Sequence, residues 1–473
     1  MVNVDFLKTL FWYIIFLVSI YYLPDIISAL VAIVFLYSFY KSGDDYIHLA
    51  VLFIIISDPG RIFTSRTEDI ISFMGFGISL AELFSAVALV KLYNLRNISN
   101  NFFKNAYLIY FIYLLFLIVY GLLEGMSITG TEGYGFGRYR ATIKLLLLIP
   151  LYFTIPNILY DKSTLIRFGK ILFVFIIINF MLQLIWIITG IPVLGYLNPE
   201  SLETYRSREF IRATYGFFLS FITLTLSIYF IATRSLDRRY MFAIMAVSVM
   251  VVIISGTRGW MLAYLFISII SFLLISQFNI FKIIRTFAVI FLIIILLIQV
   301  DFIRVQLEKS FERFSTMEHI LEGDPTSGGT VSRLTDRHEQ VIIKFKERPI
   351  IGWGFSSTAH IAYDQHVGNQ SMLMAGGVVG YILFLITIGI IIKKIILCKI
   401  LYSTDDIDAS NLYIFIICIG GLFIIHSSST DLFSYLAPTM GYHYVKIIFL
   451  AVFFSIVNAI LVDIENVNQS EEE

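Results

Sequence analysis

The fold class this sequence predicts is an all-α polytopic membrane protein: one bundle of about fourteen helical spans, interrupted by one long polar loop. Three observations predict it. Of 473 residues, 58% are hydrophobic and 14% charged, against roughly a quarter charged in a soluble domain. The apolar residues form continuous Leu/Ile/Phe-rich runs rather than alternating with polar ones, which selects helices over a membrane β-barrel. The long polar residues-rich interval falls in one place, 301–369, instead of being spread through the chain. A net charge of zero gives no electrostatic basis for nucleic-acid binding. The two cysteines, Cys398 and Cys418, lie in or beside apolar segments and form neither a disulfide framework nor a metal spacing.

Taken in order, the apolar runs cover 10–23, 26–40, 46–57, 70–92, 106–123, 141–158, 166–190, 210–233, 240–256, 259–277, 283–300, 370–393, 411–430 and 443–462. A helix needs about 20 residues to cross about 30 Å of hydrocarbon, so 26–40 and 46–57 are short for a span. The first run follows a single lysine, Lys8, with no small-residue cleavage site behind it, and reads as a retained span. Basic residues gather in alternate loops: Lys41; Lys91, Arg96 and Lys104; Lys162, Arg167 and Lys170; Arg234, Arg238 and Arg239; Lys282 and Arg285; Lys393, Lys394 and Lys399. The positive-inside rule places all of them in the cytoplasm, with both termini, and puts 301–369 outside. Three regions result: 1–300 with spans 1–11, the loop 301–369, and 370–473 with spans 12–14 and the acidic tail Glu471 to Glu473.

Within the outer loop, about 331–347 reads as an amphipathic helix. Gly328 and Gly329 precede it, Thr330 or Ser332 can cap it, Pro349 ends it, and Leu334, Val341, Ile342 and Phe345 recur on one face. Ile351 to Phe355 then turns the chain, and Gly376, Gly377 and Gly380 fall in the first turns of the next span, where small residues admit a helix or a substrate.

The outer face is rich in Arg and His and poor in paired acids, which suits an anionic ligand handled together with a proton. Arg258 sits in a short turn between Gly256 and Gly259, and Arg212 opens a span; a guanidinium there either snorkels to headgroups or binds a partner such as a diphosphate, whose oxygens it takes bidentately. Arg333 and Arg337 lie one turn apart and can face one ligand, although Asp336 and Glu339 beside them also fit a solvated face. Arg138 and Arg140, among Gly and Tyr, can stack on sugar rings or belong to an interfacial aromatic belt. His366, just before the membrane is re-entered, can act as a general base, since imidazole titrates near neutrality; His338 and His360 share that chemistry, and Asp364 can orient a neighbouring imidazole. His426 and Asp431 read as helix-to-helix hydrogen-bonding residues, and Glu82, within a span, is a functional candidate left unassigned because the sequence shows no partner for it. No Asp-x-Asp, His-x-x-x-His or Cys pair occurs in the outer loops, so neither a metal nor a cofactor is expected, and arginine would neutralise a diphosphate.

These residues resemble a known family. ISGTRGW at 254–260 is similar to the S-G-S-R-G signature of the O-antigen polymerase and O-antigen ligase superfamily, and 332–357 resembles its segment with a Pro-x-x-Gly-x-Gly turn. His366, Val367, nine residues, then Gly377 and Gly380 follow the ligase-type spacing, with Val367 where ligases carry a small polar residue. The resemblance covers about 205–385. It implies a C-type glycosyltransferase-like fold in a bacterial inner membrane, acting at the periplasmic face on undecaprenyl-diphosphate-linked oligosaccharide as donor and acceptor. His366 and Arg258 would be catalytic, and Arg212, Arg333, Arg337, Arg138, Arg140, Gly377 and Gly380 would bind diphosphate or glycan. Membrane lipids, a chain-length regulator and a flippase are the other implied partners. Polymerase is the expectation; a ligase transferring the glycan to lipid A core, and a transporter of the same lipid, are the alternatives.

Overall fold

In lipid, each backbone N–H and C=O must find its partner within the segment, so a continuous apolar run becomes a helix. The computed structural model describes residues 4–57, 71–73, 76–95, 101–124, 144–191, 215–275, 304–305, 308, 338–364, 366–402, 407–435 and 441–472. In chain order these hold α1 (Val4–Tyr22), α2 (Asp25–Lys41), α3 (Asp45–Ser57), strands β1 (Ile71–Phe73) and β2 (Phe76–Ile78), α4 (Leu80–Leu95), α5 (Lys104–Leu123), α6 (Leu151–Ile158) and α7 (Lys162–Thr189). There follow α8 (Phe217–Thr233), α9 (Arg238–Ser255), α10 (Arg258–Ile275), α11 (His338–Glu347), α12 (Ser357–Ala362), α13 (Gly368–Tyr402), α14 (Ile407–Ser410), α15 (Tyr413–Ser428) and α16 (Gly441–Glu472).

The protein is an all-α membrane protein in its architecture. Among the described residues, eight helical segments are long and apolar enough to cross a membrane, and shorter apolar helices such as Asp45–Ser57 and Phe217–Thr233 pack among them. Most of the fourteen predicted runs coincide with these helices. The run 283–300 lies outside the described residues. The run 70–92 divides: a two-stranded antiparallel hairpin occupies 71–78, pairing Ile71 with Ile78, and only then does a helix begin. The division is local, because Ser79 and Glu82 form a reciprocal capping box. The Ser79 amide donates to Glu82 Oε2 (2.8 Å), and the Glu82 amide donates to Ser79 Oγ (3.3 Å). Lys144 Nζ lies 3.5 Å from the same carboxylate, so Glu82, for which the sequence shows no partner, has both a capping role and a countercharge.

Charged side chains near helix ends find partners. Lys8 pairs with Asp44 at 2.9 Å, Lys91 Nζ donates to the Phe39 and Ser42 carbonyls and to Asp45, and Lys162 and Tyr229 both hold Asp408. Lys91 and Lys162 belong to two of the basic loops of the charge pattern. At the centre runs the last helix, whose apolar window Tyr444–Val467 is 94% buried among the others. A helix enclosed by protein on all sides need not be amphipathic.

Of the amphipathic helix expected at about 331–347, the described part is α11, which buries Val341 completely and leaves its Lys344–Glu347 pair at the surface. After it, the chain does not simply turn and re-enter. Residues 349–355 insert between α5 and α13. Helix α13 is broken at Gly377 (φ +61°, ψ −169°), and the inserted segment occupies the break. Trp353 and Gly354 donate their amides to the Met374 and Ala375 carbonyls (3.0 and 2.7 Å), while Val378 and Val379 donate to the Pro349 and Ile350 carbonyls (2.8 and 3.1 Å). The groups that the break frees are thus satisfied by the chain's own backbone, as a low-dielectric environment demands.

Candidate functional site

The site is assembled from three short segments at the ends of helices. The first is the α9–α10 turn. Gly256 ends α9 in the left-handed conformation (φ +61°), Ser255 Oγ accepts the Thr257 amide at 3.3 Å, and α10 begins at the half-buried Arg258. The second is the Ser428–Asp431 stretch after α15. Gly259 lies flat against it: a Cβ on Gly259 would come within 2.5 Å of Ser428 Oγ and 2.6 Å of Ser429 Cβ. Trp260 Nε1 donates to Thr430 Oγ1 at 3.3 Å. The glycine beside Arg258 therefore makes room for protein, and in doing so sets the start of α10 against residues 428–430.

The third segment carries His366. Its imidazole Nδ1 lies 3.1 Å from the Ser429 carbonyl oxygen. A carbonyl only accepts, so Nδ1 carries the proton and Nε2 of the neutral ring is left with its lone pair. The nitrogen left able to accept a proton is therefore Nε2. The start of α10, through Gly259 and Trp260, and His366, over a hundred positions apart in sequence, thus meet one and the same four-residue stretch. Asp364 plays a different part from the one expected: its Oδ1 accepts the His366 backbone amide at 2.9 Å, and its carbonyl accepts Ser371 Oγ at 3.0 Å, so it shapes the loop while Ser429 holds the ring.

Beneath this junction lies an ion pair that sequence reading missed. Asp431 Oδ1 accepts from Lys446 Nζ at 2.5 Å, Asp431 Oδ2 accepts from the Tyr363 hydroxyl, and both charged side chains are about 1–2% exposed. Lys446 also donates to the Ser434 carbonyl at 3.2 Å. Burial pushes the Asp431 carboxyl up, and the Lys446 ammonium opposes that shift. The signal was present in sequence as a lysine inside the apolar run 443–462, where an ionisable residue implies a partner. Asp431 bonds across to the last helix, the role expected of it; His426 is fully buried, and its Nδ1 accepts the Phe433 amide at 3.4 Å, seven residues on in the same chain segment rather than from another helix.

Other candidates stand elsewhere. Gly377 and Gly380, expected to admit substrate, make room for the chain itself. A Cβ on Gly377 would lie 2.2 Å from the Ile350 carbonyl oxygen, and one on Gly380 would lie 2.8 Å from the Tyr113 ring. His360 is buried in α12, near the Phe355 ring. Arg212, Arg333, Arg337, Arg138 and Arg140 lie outside the described residues, as does the side chain of His338. Among the described residues, no three His, Cys, Asp or Glu side chains come together as a metal site.

A separate cluster pins the inserted segment from above. Arg348 Nη1 pairs with Glu124 Oε2 at 2.5 Å and donates to the Tyr120 hydroxyl at 3.0 Å, its guanidinium stacks 4.0 Å from the Trp353 ring centroid, and Trp353 Nε1 donates to the Lys344 carbonyl at 2.8 Å. The Arg348 hydrogen bond holds the Glu124 carboxyl below its usual value. When compared with family models and with curated proteins, the chain matches none.

Proposed function

We propose that this protein is a membrane glycosyltransferase of the O-antigen polymerase type. It would join undecaprenyl-diphosphate-linked repeat units at the periplasmic face of a bacterial inner membrane, without a metal. The observation that carries the reading is the shared attachment of His366 and the Arg258 helix start to residues 428–430. In this mechanism the acceptor hydroxyl gives its proton to His366 Nε2 as its oxygen attacks the anomeric carbon of the donor. The bond from that carbon to the diphosphate oxygen breaks, and undecaprenyl diphosphate departs with its charge met by Arg258, assisted by Arg212. Both interactions strengthen as charge develops, which is where binding accelerates a reaction. Polymerase is preferred to ligase because Val367, buried at 3% exposure, replaces the polar residue of the ligase pattern.

The break in α13 favours a transporter, since such proteins bind cargo at discontinuous helices. Here the freed backbone groups are already bonded to residues 349–355, which favours the transferase. Purified protein in liposomes, supplied with lipid-linked repeat units and no energy source, is expected to produce longer chains. His366→Ala should lower that rate by about 10²- to 10⁴-fold with membrane content unchanged. Transfer between leaflets without a new glycosidic bond would establish the transporter instead, and undiminished elongation by the variant would remove His366 from the mechanism.

A further inference from the structure

We infer that Asp431 and Tyr363 are positioning residues that set the tautomer and aim of His366; the inference rests on the reading of His366 as the acceptor-activating base. The 429–431 stretch grips the 363–366 loop at two points. Tyr363 donates its hydroxyl to Asp431 Oδ2, and His366 donates Nδ1–H to the Ser429 carbonyl, with one residue between the two gripping positions. Between them the loop is braced by Asp364, which takes the His366 and Val367 amides. The gripping stretch is itself anchored, because the other Asp431 oxygen and the Ser434 carbonyl both take Lys446 from the enclosed final helix. The chain of restraint runs from the core of the bundle through Lys446, Asp431 and Tyr363 to the imidazole.

A purely structural ion pair would need only Lys446 and Asp431. The Tyr363 hydroxyl is a third member, and it comes from the loop that carries the base. Releasing it would free the loop to rotate, weaken the Nδ1–H bond to Ser429 and let the proton move to Nε2, the nitrogen that must be bare to accept one.

Tyr363→Phe is the informative variant, since it deletes one hydroxyl and leaves Asp431 paired; Asp431→Asn would strand the buried Lys446 charge and destabilise the fold. In liposomes with lipid-linked repeat units, Tyr363→Phe should lower kcat by about 10- to 100-fold, with KM and thermal midpoint little changed. Nitrogen-15 spectra of histidine-labelled protein, taken across a pH series and assigned by difference from His366→Ala, give a readout independent of turnover. The wild type should show His366 as the Nδ1–H form and Tyr363→Phe a mixture of both. An unchanged tautomer in the variant, or a loss of rate that merely follows a lowered midpoint, overturns the inference. A wild type that joins no repeat units overturns the functional reading alone, because the spectra still decide whether Tyr363 and Asp431 govern the ring.

Discussion

Two glycine-bearing stretches look alike in sequence and behave differently in the fold. Around Arg258, Gly256 shapes a turn and Gly259 brings α10 against Ser428 and Ser429, beside the candidate base. Around Trp353, Gly352 and Gly354 (φ +69° and +58°) pack backbone to backbone against Ala375 and Gly121, and Gly377 packs against Ile350. In the second stretch every opening is filled by main chain, and main chain cannot move aside as the end of a side chain can. A glycine beside a site signals close approach; only the identity of what approaches tells whether the space serves a ligand or the fold.

Substitutions can break this comparison. The largest effect is expected at Gly377, where a side chain meets the Ile350 carbonyl at 2.2 Å and the backbone has φ +61°. Gly377→Val should cost about 3 kcal/mol or more through strain and displaced main chain, seen as a sharp loss of folded protein in detergent. A smaller effect is expected above the inserted segment. Arg348→Ala removes the partner that depresses the Glu124 pKa. A depressed carboxyl contributes stability that is present above its unfolded value, and that contribution fades as pH falls through the folded value. The wild type should therefore have the higher melting temperature at neutral pH, with the gap to Arg348→Ala narrowing below about pH 4.5; a gap that persists there would assign the effect to stacking on Trp353. The smallest is expected at Gly389, on the same helix as Gly377 but with nothing within 4 Å of an added Cβ. Gly389→Ala should leave the melting temperature unchanged or raise it slightly, since alanine is the better helix former by up to about 1 kcal/mol.

The helices were legible because a membrane span is a property of composition over a short window, which is why α5, α7 and α15 fall on the predicted runs. The Ser79–Glu82 box was missed: Ser-x-x-Glu stands in the sequence, but it lay inside a run long enough to pass for a span. The break at Gly377 was not, because the bonds that hold it open come from residues 349–355, and no local pattern around 377 encodes a partner some 25 positions away. At the candidate site, Arg258 and His366 stood out as ionisable residues beside apolar runs. The meeting of Trp260 and His366 on Thr430 and Ser429, and the link from Tyr363 through Asp431 to Lys446, depend on helix packing and appear only in three dimensions.

The enclosure of Tyr444–Val467 at the centre of the bundle has a temporal side. This helix follows every other described span in the chain, so at roughly 5–20 residues per second the first span waits on the order of a minute for its axle and α15 only seconds. Asp431 precedes Lys446 by 15 residues, so for roughly 1–3 s at that rate the carboxyl is made and its ammonium partner is not. The Tyr363–Asp431–Lys446 junction is thus complete only once the final helix is in place, after the other described helices have been made.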